Sequence, residues 1–88
     1  MNSEKKKAIK TLKIARGQVE AAIKMIEDER YCVDVSNQII AAQSLLKKAN
    51  LLILKQHMNH CVIEAVEHNK GPEKIDEIMN LLSKVIGK

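Results

Sequence analysis

Neither phenylalanine nor tryptophan occurs among the 88 residues, and the single aromatic side chain is Tyr31. A core has to be built from Leu, Ile, Val, Ala and Met, a mixture that packs readily between helices. The same lack removes the stacking platforms on which single-stranded nucleic acids are held. Breakers are scarce as well: one proline, Pro72, and three glycines, Gly17, Gly71 and Gly87. Between Gly17 and Gly71 there is neither, so one long uninterrupted helix is allowed there. No stretch approaches the roughly 18 apolar residues of a membrane span. "MNSEKKKAIK" starts with positive charge but leads into no apolar segment of the kind a secretory signal needs. The chain is therefore expected to be cytoplasmic, where thiols stay reduced. Only two cysteines are present, Cys32 and Cys61. In that compartment they suit metal binding or redox sensing better than a structural disulfide.

Residues 1–88 make a single domain. A chain this short buries a modest fraction of its surface and is often marginal alone; association with another copy is one standard remedy. The formal net charge is +4, and the excess is uneven. Residues 1–24 carry Lys5, Lys6, Lys7, Lys10, Lys13, Arg16 and Lys24 against Glu4 and Glu20, and Lys47, Lys48 and Lys55 form a second cluster. A basic stripe of this kind tracks phosphates; the plainer alternative is a solvated helix face.

The pattern predicts an all-α chain of three helices. Ser3 is the expected N-cap of the first, which carries Ile9, Leu12, Val19, Ile23 and Ile26 at helical spacings. Gly17 falls inside this helix, where it costs about 1 kcal/mol relative to Ala and allows another backbone to come close. "EDERYC" breaks the rhythm. A second helix is expected from Cys32 or Asp34 to Glu67, with apolar positions at Val35, Ile39, Ala42, Leu45, Leu46, Ala49, Leu52, Ile53, Ile63 and Val66. That stripe is wide enough to need cover on two sides. "HNKGP" ends it, with His68 in the loop, and Pro72 suits the first position of a third helix bearing Ile75, Ile78, Met79, Leu82, Val85 and Ile86.

"QHMNHC" sets His57 and Cys61 four residues apart, on one helical face. Cys32 is 25 residues from His57, about 37 Å along a continuous helix at roughly 1.5 Å per residue. Ligation by all three within one chain is excluded unless the helix folds back. An antiparallel second copy solves this: Cys32 of one chain meets His57 and Cys61 of the other. The two-fold crossing then falls near Leu45 and Leu46, and each dimer gains two identical sites. Two thiolates and one imidazole form a soft set, one ligand short of a closed zinc site, and soft donors favour Cu(I). Zinc with a water is the alternative. So is no site at all, since a lone buried Cys is usually a small hydrophobe. A catalytic Cys–His pair would need an orienting group and a substrate cleft, which a slim helical assembly does not offer.

Taken together, the segments "LKIARGQVEAAIKMIEDERYCVDVSNQIIAAQSLLKKAN", "HMNHC" and "EKIDEIMNLL" make the chain resemble the CsoR/RcnR family of all-helical bacterial repressors, and within it the copper-sensing branch. The resemblance implies Cu(I) held across the dimer by Cys32 from one chain with His57 and Cys61 from the other. Tyr31 and Glu77 stand where that branch carries its outer residues, which engage the His ligand and couple the site to quaternary shape. It also implies antiparallel dimers, each a four-helix bundle with extra third helices, paired into a tetramer. This assembly binds double-stranded operator DNA without a helix-turn-helix and releases it on Cu(I) binding, freeing copper-efflux genes. The expected DNA contacts are Lys10, Lys13, Arg16 and Lys48. Thr11 departs from the family pattern, where a basic residue is common, and Lys10 is the expected substitute. Two competing readings remain: a persulfide-sensing repressor of the same fold, whose members generally lack the His, and a cytosolic copper buffer. No enzymatic activity is expected.

Overall fold

Asn2 starts the first helix: its Oδ1 accepts the Lys5 backbone N–H at 2.8 Å, satisfying one of the donors a helix start leaves over. The expected cap, Ser3, lies one residue inside. The helices are α1 (Ser3–Glu27), α2 (Cys32–His68) and α3 (Gly71–Ile86). They are seen in a computed structural model that describes residues 2–68 and 71–87; within α2, the side chains of residues 60–63, 65, 66 and 68 lie outside the described set. Among the described residues there is no strand. His68 closes α2 instead of lying in the loop, and α3 begins at Gly71, one residue before Pro72.

The turn after α1 is a Schellman arrangement. The Arg30 N–H reaches the Met25 carbonyl at 2.9 Å, and the Glu29 N–H reaches that of Ile26 at 3.0 Å. Its geometry needs a left-handed residue, and Glu29 takes that role at φ 55°, a conformation that costs a side-chain-bearing residue about 1–2 kcal/mol. The chain reverses within four residues, so α1 and α2 form an antiparallel hairpin.

Small residues hold this hairpin together. Ala8, Ala15 and Ala22 are buried at intervals of seven on α1, and Val35, Ala42 and Ala49 at intervals of seven on α2. Thr11, Gln18 and Met25 continue the α1 line, and Gln38, Leu45 and Leu52 that of α2, all buried or half-buried. These are the a and d positions of two heptad patterns facing each other. Gln38 ties the register by donating to the Gln18 carbonyl oxygen at 3.0 Å and to the Gln18 side-chain oxygen.

On α2 the expected positions Val35, Ala42 and Ala49 are buried, but the stripe expected on α1 is not the one buried within the chain. Ile9, Leu12, Val19, Ile23 and Ile26 of α1 are exposed, as are Ile39, Leu46 and Ile53 of α2. On α3, Ile78 is buried while Ile75, Met79 and Ile86 are exposed. Ile63 and Val66 lie outside the described side chains. Methyl-sized residues allow the closest helix approach, so the alanines win the intrachain seam and the bulky residues are turned outward.

α2 is longer than α1 by twelve residues. Its C-terminal part runs past the start of α1 and is covered by α3, which packs on α2 and not on α1. Among the described residues, Leu54 and Ile78 are the buried side chains at this end. The molecule measures 56 × 30 × 12 Å, one helix diameter thick.

Candidate metal centre and nucleic-acid surface

The two ends of α2 carry the candidate ligands. Cys32 is its first residue and is exposed. It lines a shallow groove with Ile26, Arg30, Val35, Ser36 and Ile39, so its thiol opens onto the apolar side of the hairpin. A second groove on that side is lined by Leu12, Leu46, Ala49, Asn50 and Ile53. The two grooves mark a continuous apolar face with Cys32 at one end.

His57 sits on the far part of α2, under α3. Glu77 is brought to it from α3: the His57 Nε2 and Glu77 Oε1 atoms are 3.6 Å apart. The other oxygen of Glu77, Oε2, is 3.4 Å from Lys74 Nζ. Glu77 is thus held between an imidazole on one helix and an ammonium on its own. The expected pairing of Glu77 with His57 is present within one chain. Tyr31, the other expected outer residue, is exposed beside Cys32, about 39 Å from His57 along the helix axis. Cys61 lies in α2, four residues after His57, and its side chain is outside the described set.

Because α2 is unbroken, Cys32 and His57 are about 37 Å apart along it. Among the described residues, no three His, Cys, Asp or Glu side chains converge within the chain. The donor set nonetheless fits a soft metal ion: an exposed thiol at one end of an apolar face, and at the other an imidazole backed by a carboxylate. What the single chain withholds is proximity.

Basic residues gather on the opposite side. Lys7, Lys10 and Lys48 rim a groove of about 460 Å³ with Thr11, Ile14 and Leu52. Of the four residues expected to contact DNA, this brings Lys10 and Lys48 together from two helices. Lys13 and Arg16 are exposed on α1 but do not line the groove. Lys7 was named in the basic stripe but not among the expected DNA contacts; its spacing of three from Lys10 was the available signal. Thr11 is 7% exposed, and its hydroxyl donates to the Lys7 carbonyl at 2.9 Å. It is a seam residue that forms the floor of the groove, not a surface position awaiting a positive charge.

Comparison with known proteins identifies the family and the fold. Residues 4–84 match the family described as metal-sensitive transcriptional repressor. The chain is 39% identical over 80 residues to the copper-sensing transcriptional repressor CsoR of Mycobacterium ulcerans, an alignment covering 91% of this chain and 68% of that one. Its fold resembles the crystal structure of the copper-sensing repressor CsoR with Cu(I) from Geobacillus thermodenitrificans, with TM-score 0.80, 36% identity, and coverage of 96% of this chain and 88% of that one. It also resembles the nickel-responsive transcriptional regulator InrS, with TM-score 0.75, 25% identity, and coverage of 91% and 90%. The architecture is thus shared by proteins answering to different metals, and the donor set has to decide which metal a given chain takes.

Proposed function

Because the chain belongs to the family of metal-sensitive transcriptional repressors, we propose that it is a copper(I)-responsive one, which holds operator DNA as apoprotein and releases it when Cu(I) binds, derepressing copper-efflux genes. It acts in the cytoplasm and catalyses no reaction. Two chains associate antiparallel through the apolar face, and two such dimers form the tetramer that meets double-stranded DNA through Lys10, Lys13, Arg16 and Lys48. Each metal site takes Cys32 from one protomer and His57 with Cys61 from its partner. The observation that carries this reading is the distribution of soft donors: they stand at opposite ends of one helix, with an exposed apolar face between them.

Bound there, Cu(I) supplies coordination bonds that tie the two subunits together at both ends of the interface. The residues of the chain do the rest. His57 turns Nε2 toward Glu77 at 3.6 Å; His57 and Cys61, with the partner's Cys32, would hold the ion. Glu77 links that imidazole to α3, so any reorientation of His57 is felt by α3. Tyr31, beside Cys32, approaches the partner's imidazole in the dimer and adds a second outer contact. A change in how α3 lies on α2 alters the outline of the assembly, and with it the spacing of the basic residues on DNA. The inducer has to favour the weak-binding outline by about 1–3 kcal/mol for a useful response.

The decisive experiment is an anaerobic Cu(I) titration against a competing chelator, with the wild-type chain, Cys32→Ala, His57→Ala, and a refolded mixture of the two variants. The wild type takes one tight equivalent per chain, and each variant alone takes none. The mixture recovers one tight site per heterodimer, because one of its two sites has all three ligands intact. A mixture that recovers nothing refutes the shared site. Tight binding indifferent to His57 favours the persulfide-sensing reading, which an interchain polysulfide seen by mass spectrometry then supports.

A further inference from the structure

One face of α3 carries Gly71, Lys74, Ile78, Leu81 and Val85, all buried or half-buried and spaced by three and four residues along the helix. An aliphatic residue would continue that line at position 74; a lysine stands there instead. The other charged residues of α3, Glu73, Asp76, Glu77 and Lys84, are exposed. Among the described residues, Lys74 is the one lysine or arginine that is not exposed.

Stability does not account for this choice. α3 begins at Gly71, so Lys74 lies in its first turn, where the helix dipole disfavours a positive charge. Its partner is Glu77: Lys74 Nζ donates to Oε2 at 3.4 Å. That order, cation before anion along the helix, is the weaker one for such a pair. The two side chains are 34% and 47% exposed, and pairs this open to water add little to folding. What the arrangement achieves is geometric. It fixes one oxygen of Glu77 on α3 and leaves the other, Oε1, facing His57 Nε2 at 3.6 Å. An unanchored glutamate changes rotamer easily and would absorb a movement of the imidazole by swinging with it. Anchored at Oε2, it passes that movement to α3.

We propose that Lys74 is a positioning residue for the metal response: it holds the Glu77 carboxylate toward His57, so that ligation of the imidazole is transmitted to α3. This rests on the copper-repressor reading and deepens it. Glu77 makes the contact with the imidazole; Lys74 sets the direction and stiffness of that contact and acts only through Glu77. Removing the lysine leaves the ligands and the fold in place and uncouples the metal from DNA.

The test is a double-mutant cycle of Lys74→Met with Glu77→Ala, with Lys74→Arg as the conservative control. Methionine is a long, unbranched helix former and restores an apolar residue to the buried line. DNA affinity is read by anaerobic fluorescence anisotropy with and without Cu(I), on a duplex that wild-type apoprotein selects from a random-sequence pool. Lys74→Met is expected to keep one tight Cu(I) equivalent per chain and to melt at or above the wild-type temperature. Its copper-induced loss of DNA affinity is nonetheless expected to be about fivefold smaller than that of wild type. In the Glu77→Ala background the same substitution changes nothing further, and Lys74→Arg keeps the wild-type response. A readout without metal accompanies these: in NMR spectra of histidine-labelled apoprotein, the His57 Nε2 signal of Lys74→Met moves toward its position in Glu77→Ala. A full copper response in Lys74→Met, or an unmoved His57 signal, overturns the proposal. So does a further loss in the Glu77→Ala background, since Lys74 then acts independently of Glu77, and so does a lowered melting temperature, since the lysine then serves the fold. Wild-type protein that binds Cu(I) tightly and keeps its full DNA affinity overturns the repressor reading instead.

Discussion

Glu77 links the candidate ligand shell to the rest of the chain. Its two oxygens divide between His57 at 3.6 Å and Lys74 at 3.4 Å, and all three side chains are partly open to water. Ion pairs of this exposure contribute about 0–1 kcal/mol to stability, so Glu77 is a poor candidate for holding the fold together. A weak contact that a ligand can strengthen or break suits a switch better, because its equilibrium is easily biased. Glu77→Ala is accordingly expected to keep one tight copper equivalent per chain and a near-normal melting temperature. It should also cut the copper-induced loss of DNA affinity by about tenfold, or roughly 1.4 kcal/mol of coupling. Anisotropy with and without Cu(I) checks this, and full release by the variant would refute the role.

At the scale of elements, the α1–α2 seam is unusual in what it buries. Ala8 and Ala15 are each 1% exposed, whereas Ile26 on the same helix is 60% exposed. Each buried methyl contributes about 0.8 kcal/mol, little beside the entropy of ordering the two helices. The seam sets close approach and register; most of the available hydrophobic stabilisation remains outside it. Ala15→Leu is expected to force the helices apart and to destabilise the protein by about 1–3 kcal/mol, visible as a lower melting temperature, even though it adds apolar bulk. An unchanged melting temperature would mean that the seam is loose enough to absorb three extra carbons. The heptads of small residues were present in the sequence, but bulk drew the reading to Ile9, Leu12, Val19, Ile23 and Ile26. Hydrophobicity ranks residues by what they gain on burial, and not by which neighbour buries them.

A whole molecule 12 Å thick has no second layer to cover its apolar face, and domains are stable with two or three layers. Leu46, 46% exposed, is near the middle of that face and at the crossing point that the ligand geometry requires. Its neighbour Leu45 is half-buried in the intrachain seam, so of the pair expected to form the dimer core only Leu46 is left open on that face. Leu46→Glu is expected to give a monomer by sedimentation, or to make the melting temperature strongly concentration-dependent. It should also abolish the tight copper site with Cys32, His57 and Cys61 all intact. Retention of tight binding by a monomer would mean that the ligands meet within one chain.

The three helices and their turns were legible in the sequence because breakers are so few: with none between Gly17 and Gly71 apart from the "EDERYC" interruption, the backbone had one regular option. The separation of Cys32 from His57 was legible for the same reason, since an unbroken helix turns sequence spacing into distance. Details of closure were not: Asn2 caps α1 in place of Ser3, and Glu29 adopts the left-handed turn conformation without being glycine. The sequence was also silent on which apolar face closes within the chain and which stays open, on Thr11 as a groove floor, and on Lys7 joining Lys10 and Lys48. Those follow from how two helices approach one another, and a periodic pattern names the faces of a helix without saying what lies against each.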